Sequence, residues 1–299
     1  MTLGLLVSGS LGLIVLKSLL VNKKSISFVL TDKNSLGIIE ICRDNNIFCF
    51  AGNPRNGRAL TVIKDKKCDI LLSINYLFLI EDDLINLPSK KVAINFHGSL
   101  LPKYRGRTPH VWAIINNETE TGVTAHLIDS KCDTGDIISQ RKISIDRNDT
   151  GADILVKFNS IYPSFVLEIL GQVEKDIVIN SCKQDEQKAT YYGKRTEFDG
   201  EISWDWQKER IFNWVRAQAK PYPGAFTFNN GQKVIIHKVE FSDIGFDYNV
   251  VNGTVVLIDL DGFAHVKTPN GCLKLVDIEF LGKFELNQIL GKDGEGVTA

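Results

Sequence analysis

Asn95-Phe96-His97 closes an apolar run that begins at Val92. The run reads as a buried strand, and successive side chains on a strand leave on opposite faces. Asn95 and His97 therefore share one face, while Phe96 turns into the fold. A glycine-containing loop follows directly, Gly98-Ser99-Leu100-Leu101-Pro102-Lys103-Tyr104-Arg105-Gly106-Arg107. An amide and an imidazole at the carboxyl end of a strand, opening on a basic loop, make a candidate reaction centre, because open α/β sheets bind ligands there. Asp133 lies 36 positions after His97, in the turn-forming Asp133-Thr134-Gly135-Asp136. A carboxylate on such a turn can reach back to the imidazole, fix its tautomer and favour its protonated form, as acid/base work requires. By residue type alone each feature also has a plainer explanation. Many strands end in polar residues, and Asp beside Gly is ordinary turn chemistry.

Bringing these residues together requires a sheet, and the first half of the chain alternates strand and helix patterns. Residues 4–7, 26–30, 69–74 and 92–96 read as strands, and 11–21 and 35–45 as helices. This βαβ rhythm predicts an α/β fold with a Rossmann-like, mostly parallel sheet and helices on both faces. Thr108-Pro109 has the form of an N-cap with proline at the first helical position, opening a helix to about residue 116. Residues 122–128 and 137–145 read as partner strands. Asp149 or Thr150 is expected to cap a long helix in which Ile154, Leu155, Phe158, Ile161, Phe165 and Ile169 keep a helical period. The polar stretch 183–188 begins a change of character. Short β-like runs at 234–236, 253–258, 264–266 and 273–280 then alternate with turn signals at 259–262 and 269–271. The expected division is a catalytic domain over 1–183, a linker over 184–203 and a small β-rich domain over 204–299, frayed after Gly282.

The 299 residues, 43% hydrophobic and 24% charged, suffice for a sizeable core. A net charge of −1 and a pI near 6.5 give no broad attraction to nucleic acid or to an anionic membrane. No uninterrupted apolar stretch of about 18 residues stands out as a bilayer span, and the first residues read as a strand rather than a signal peptide. The six cysteines (Cys42, Cys49, Cys68, Cys132, Cys182, Cys272) form no Cys-x-x-Cys pair. They read as small hydrophobes of a reducing, cytoplasmic compartment, and no metal site is expected.

The segment from Asn95 to Gly106, the block Glu120-Thr121-Gly122-Val123-Thr124 and the block Asp133-Thr134-Gly135-Asp136-Ile137 together resemble the signature of folate-dependent formyltransferases. The resemblance continues in Tyr192-Gly193-Lys194-Arg195-Thr196, Trp204, Val215-Arg216-Ala217 and Pro221-Tyr222-Pro223-Gly224-Ala225-Phe226, which are similar to that family's connection between two domains. The β-rich end resembles its small OB-like C-terminal barrel. The chain looks most like bacterial nucleotide-sugar N-formyltransferases and the formyltransferase half of the enzyme that formylates UDP-4-amino-4-deoxy-arabinose, in part through Tyr104-Arg105-Gly106-Arg107-Thr108-Pro109 and Trp112. Methionyl-tRNA formyltransferases usually carry Gly-Thr-Pro after the first strand, where this chain has Ser8-Gly9-Ser10-Leu11-Gly12. That turn is no complete dinucleotide fingerprint either. From Trp204 onward ten Lys and Arg stand against twelve Asp and Glu, so no tRNA-binding footprint is visible there.

What the resemblance implies is transfer of a formyl group from N10-formyltetrahydrofolate to the amine of a nucleotide-linked sugar. A dTDP-4-amino-4,6-dideoxyhexose bound for a surface polysaccharide such as an O-antigen is expected, with methionyl-tRNA as the alternative acceptor. The family's catalytic trio maps onto Asn95, His97 and Asp133: oxyanion donor, proton shuttle and the group that holds the imidazole. The folate pocket is expected from Leu79, Ile80, Glu81, Arg107, Asp129, Ser130, Lys131 and Cys132. Lys103, Tyr104, Arg105 and Tyr222 are expected to meet the acceptor, with Trp112 a weaker candidate. His110, His126, His237 and His265 match no trio position and are given no role. A homodimer is compatible with this reading. Its rivals are a binding protein that has lost catalysis and a formyl-folate hydrolase.

Overall fold

Strands such as Ile70–Ile74, buried at every position, need cover on both faces. The computed structural model describes residues 1–63, 65–175 and 179–291. In chain order its elements are β1 (Thr2–Val7), α1 (Gly9–Val21), β2 (Ser25–Thr31), α2 (Leu36–Asp44), β3 (Phe48–Ala51), α3 (Arg58–Ile63), β4 (Ile70–Ile74), α4 (Asp82–Ile85), β5 (Val92–His97), β6 (Arg105–Gly106), α5 (Pro109–Ile115), β7 (Glu120–Leu127), β8 (Ile137–Ser144), α6 (Gly151–Glu174), β9 (Tyr191–Tyr192), α7 (Lys208–Ala217), β10 (Ala225–Asn229), β11 (Gln232–Ser242), β12 (Val255–Ile258), β13 (Ala264–Thr268) and β14 (Gly271–Glu279).

The first of two units holds residues 1–109, 120–144 and 155–193. Its seven-stranded sheet has the order β3-β2-β1-β4-β5-β7-β8. Pairing is parallel from β3 to β5, and β7 and β8 continue it antiparallel. Mixed α/β with a mostly parallel sheet is therefore the fold class, as the strand–helix rhythm implied. One core cluster packs Leu6, Phe28, Leu30 and Leu71 with Ala59, Ile63 and Leu84 from the short helices α3 and α4. Neither helix, nor the edge strand β3, was expected from the pattern.

The helix α6 corrects the expectation about apolar length. It has 24 residues and is apolar enough, by length and composition, to cross a membrane. Its buried side chains Phe158, Tyr162, Phe165, Val166, Ile169 and Val173 recur at the spacing of one face, the pattern of a core helix. Thr150 caps it, exchanging bonds with Asp153: Thr150 N–H to Asp153 Oδ2 at 2.8 Å and Asp153 N–H to Thr150 Oγ1 at 3.2 Å. Thr108 does not cap α5. Its φ is +47°, outside the extended region of an N-cap, and its buried Oγ1 has no hydrogen-bond partner among the described residues.

The second unit holds residues 110–119, 145–154 and the chain from Lys194 onward. The units thus interleave in sequence. Residues 184–193, expected in a linker, belong to the first. Five antiparallel strands order as β10-β11-β14-β13-β12, over a core that includes Trp204, Ile211, Trp214, Val234, Val255 and Leu273. The edges β10 and β12 do not pair with each other. The stretch 287–291 spans the gap instead. Asn287 N–H reaches Val255 O at 2.9 Å, Leu290 N–H reaches Gly253 O at 2.9 Å, and Gly291 N–H reaches Phe228 O at 3.1 Å. Leu290 is buried. The frayed tail is thereby corrected for 283–291, and its remainder, 292–299, lies outside the described residues.

Candidate active site

Asn95 and His97 end β5, one residue apart and on one face. The antiparallel neighbour β7 sets His126 directly opposite Asn95 and Thr124 opposite His97. Directly opposed residues share a face, so His126, given no role from the sequence, joins the cluster. Its Nδ1 lies 2.7 Å from Leu127 O. A carbonyl only accepts, so Nδ1 carries the hydrogen and Nε2 is the acceptor. Asn95 Nδ2 donates to that nitrogen at 3.1 Å and to Asp133 Oδ1 at 3.3 Å. Both amide hydrogens of Asn95 are therefore engaged.

The ring of His97 is 7% exposed, and Nε2 donates to the carbonyl of Tyr104 at 2.8 Å. Its Nδ1 faces Asp133 Oδ1 at 3.6 Å. A second proton on this ring therefore meets a carboxylate. Asp133 also lies 3.7 Å from His126 Nε2. Its Oδ2 accepts the Gly106 amide at 2.9 Å and the Cys132 thiol at 3.3 Å. Burial alone would raise the Asp133 carboxyl. The neighbouring His97 imidazole and the Gly106 N–H donated to Oδ2 outweigh it and hold the carboxyl well below the usual carboxylate range. Asp133 thus stays ionised between two imidazoles.

Two glycines let the backbone approach this closely. A Cβ on Gly135 would stand 1.8 Å from Leu127 O. Gly106 has a φ of +103°, and its Cβ would stand 2.3 Å from Tyr192 O. Thr124 Oγ1 secures the loop after β5, donating to Ser99 O at 2.6 Å and accepting from Leu101 N at 3.1 Å.

The other expected residues divide. Arg107 Nη2 donates to Leu77 O at 2.8 Å, so the 77–81 loop is fastened one residue from the amide that holds Asp133. Leu79 on that loop is 56% exposed, whereas Ile80 packs against the core. Glu81 is spent on its neighbours, accepting from the amides of Asn56 and Gly57 at 3.1 and 3.3 Å. Asp129 closes its own turn through Thr134 Oγ1 at 2.7 Å, and Ser130 and Lys131 are exposed beside it. Lys103 is exposed.

Arg105, expected to meet the acceptor, is placed elsewhere. Its side chain is fully buried, ion-paired with Glu186 at 2.7 Å and bonded to Gln184 and to the Tyr191 hydroxyl. It is closed to an acceptor. Tyr104 is likewise 7% exposed, its ring stacked on Tyr192 at 5.0 Å. Its carbonyl is the group that meets His97.

Tyr222 lies in the second unit, where its hydroxyl is 2.7 Å from His110 Nε2. Burial lowers His110 to about 4 and raises Tyr222 to about 12, so a neutral imidazole meets a neutral phenol. His110, also given no role, fixes the ring that was expected to meet substrate. In the same unit the Arg195 guanidinium lies over the rings of Trp112 and Trp214, at 5.0 and 4.3 Å. Among the described residues no group of three or more His, Cys, Asp and Glu side chains is placed to hold a metal ion.

Known proteins resemble this chain over both units. The pattern of the formyl transferase family matches residues 22–170, and that of the formyl transferase C-terminal domain matches residues 194–288. A methionyl-tRNA formyltransferase of Dictyoglomus thermophilum is 35% identical over 226 residues, covering 76% of this chain and 72% of that protein. Among solved structures, WlaRD, a sugar 3N-formyl transferase crystallised with dTDP and 5-N-formyl-THF, superposes with a TM-score of 0.72 at 22% identity, over 95% of this chain and 99% of that one. An N-formyltransferase from Helicobacter canadensis, in complex with folinic acid and dTDP-3-aminofucose, gives 0.72 at 20% identity, over 93% and 98%. At these identities the two structures speak for a shared fold.

Proposed function

The chain belongs to the formyl transferase family, and from that premise we propose that it transfers a formyl group from N10-formyltetrahydrofolate to the amine of a nucleotide-linked amino sugar, a dTDP-4-amino-4,6-dideoxyhexose for surface polysaccharide, in the cytoplasm. The observation that carries the reading is the convergence of Asn95, His97 and Asp133 at the end of β5. The likeness in fold to two dTDP-sugar enzymes over nearly the full length of each supports the acceptor class. So does the near-neutral charge from Trp204 onward.

In this reading the unprotonated amine attacks the formyl carbon, the bond to the folate nitrogen breaks, and one proton passes from amine to that nitrogen. Asn95 meets the developing oxyanion. The longer of its two amide bonds, 3.3 Å to Asp133, is the one an incoming carbonyl oxygen replaces, while His126 keeps the other hydrogen and with it the amide plane. Asp133, ionised, stabilises a proton on His97 Nδ1, so His97 can take the amine's proton and return it to the leaving nitrogen. The 77–81 loop, with exposed Leu79 and Arg107 fastened to Leu77, would grip the folate ring, with the 129–132 turn on its other flank.

Methionyl-tRNA as acceptor is the second reading, favoured by the 35% identity to such an enzyme. Mixing the protein with labelled formyl donor and, separately, dTDP-, UDP- and GDP-amino sugars or methionyl-tRNA decides between them. A formylated dTDP-amino sugar is expected. Label on methionyl-tRNA and on no sugar overturns the proposal. Label released as formate without an acceptor would reveal a hydrolase.

A further inference from the structure

The 184–192 segment supports the Asp133 loop directly. Gln184 is 9% exposed and uses its whole amide. Nε2 donates to the carbonyls of Asp133 and Gly135 at 2.9 and 2.8 Å. Oε1 accepts from Arg105 Nε and Nη2 at 3.1 and 2.8 Å. Arg105 is in turn satisfied by both carboxylate oxygens of Glu186, at 2.7 and 2.9 Å. A buried guanidinium without such a partner is strongly destabilising.

The same segment fixes the other wall. Tyr104 N–H donates to Thr190 Oγ1 at 2.8 Å, Arg105 N–H to Thr190 O at 2.9 Å, and Arg107 N–H to Tyr192 O at 3.0 Å. That wall carries the Tyr104 carbonyl, the acceptor for His97, and the Gly106 amide, the donor to Asp133. Asp133 itself has a φ of +55°, a left-handed conformation that side-chain-bearing residues hold where their surroundings enforce it.

We propose that Gln184 is a positioning residue for the reaction: its two N–H donations fix the Asp133 backbone so that the carboxylate faces Asn95 and His97, and Arg105 orients the Gln184 amide. The proposal rests on the assignment of Asp133 to formyl transfer. Only an amide answers both sides. A carboxylate has no hydrogen for the two carbonyls, and an alkyl chain has no acceptor for Arg105.

Steady-state kinetics on the full chain test this with Q184E, Q184M, R105K, the double variant Q184E/R105K, and D133N as reference. Q184E keeps an oxygen for Arg105, so it isolates the lost donations even if Q184M fails to fold. In Q184E, kcat should fall about 10- to 100-fold, the range expected when a reacting group is misplaced by about 1 Å. KM for the formyl donor should change less than about threefold, marking a loss at the chemical step rather than in binding. The double variant should be no slower than the slower single one, because both changes act through one amide. Wild-type kcat in Q184E beside an inactive D133N overturns the proposal and leaves the site assignment standing. Fully multiplicative losses in the double variant also overturn it. Wild-type turnover in D133N removes the site assignment itself, and the proposal with it.

Discussion

Replacing Gly106 by alanine tests how closely the reaction depends on the wall that holds Asp133. Gly106 sits at φ +103°, and an added Cβ would lie 2.3 Å from the Tyr192 carbonyl oxygen, about 1 Å inside ordinary contact. Neither atom is a flexible side-chain end, so backbone must move. The strained φ costs roughly 1–3 kcal/mol, and the forced overlap adds roughly 1–3 kcal/mol. A fall in Tm of about 3–10 °C follows for a chain of this size. The displaced bond is the 2.9 Å contact from Gly106 N to Asp133 Oδ2. A shift of about 1 Å there predicts a kcat loss near 100-fold. Gly193, just beyond the same parallel bridge, is the control, since a Cβ there meets nothing within 4 Å. G193A should keep both Tm and kcat. Differential scanning calorimetry and single-turnover formyl transfer read the two quantities. If G106A matches wild type in both, or if G193A is as impaired as G106A, the reasoning about this wall is wrong.

Removing either Asn95 or His97 as Ala should leave a folded protein and cost roughly 10²–10³ in rate, the range for one lost oxyanion donor; near wild-type turnover in the purified variants would refute their roles. H126L deletes the acceptor that holds the Asn95 amide while keeping an apolar side chain of similar bulk. It should lower kcat with little change in Tm, and an unchanged kcat would show that Asp133 alone orients Asn95. Burial depresses His110 from 6.5 to about 4, so the unfolded chain binds its proton first. The stability due to this neutral ring is complete above about pH 6.5 and is lost as pH falls toward 4. A pH series of Tm values should show that decline and a shallower one in H110N; identical slopes would refute the linkage.

The strand–helix rhythm of the first half led to the correct sheet because its apolar runs are long and bounded by turn residues, as at Ile70–Ile74 and Val92–His97. The short elements β3, α3 and α4 carry four to six residues each, too few for a period to stand out. Asn95 and His97 were readable as neighbours from strand alternation alone, whereas the tie to Asp133 needed the family likeness. His126 was missed because its place depends on which strand lies beside β5 and in what register, and no local pattern records that. One signal was present: Thr124 and His126 alternate in a strand seven residues before Asp133. Arg105 misled because a basic loop residue normally ends in solvent. Its neutralising carboxylate lies 81 positions away, in a polar stretch that itself reads as a linker. Residues 283–291 misled for the opposite reason. They carry polar residues and a glycine, yet their order comes from backbone bonds to strand edges, which side-chain composition does not reveal.

The backbone closure by 287–291 has a practical consequence for handling the protein. Unpaired strand edges are templates for pairing with other chains, and here one short peptide covers part of both β10 and β12. A chain cut before Asn287 would leave those edges bare and remove the buried Leu290, and soluble expression should be its first loss. Affinity tags and fusions belong beyond Gly291, where the last of these bonds is made.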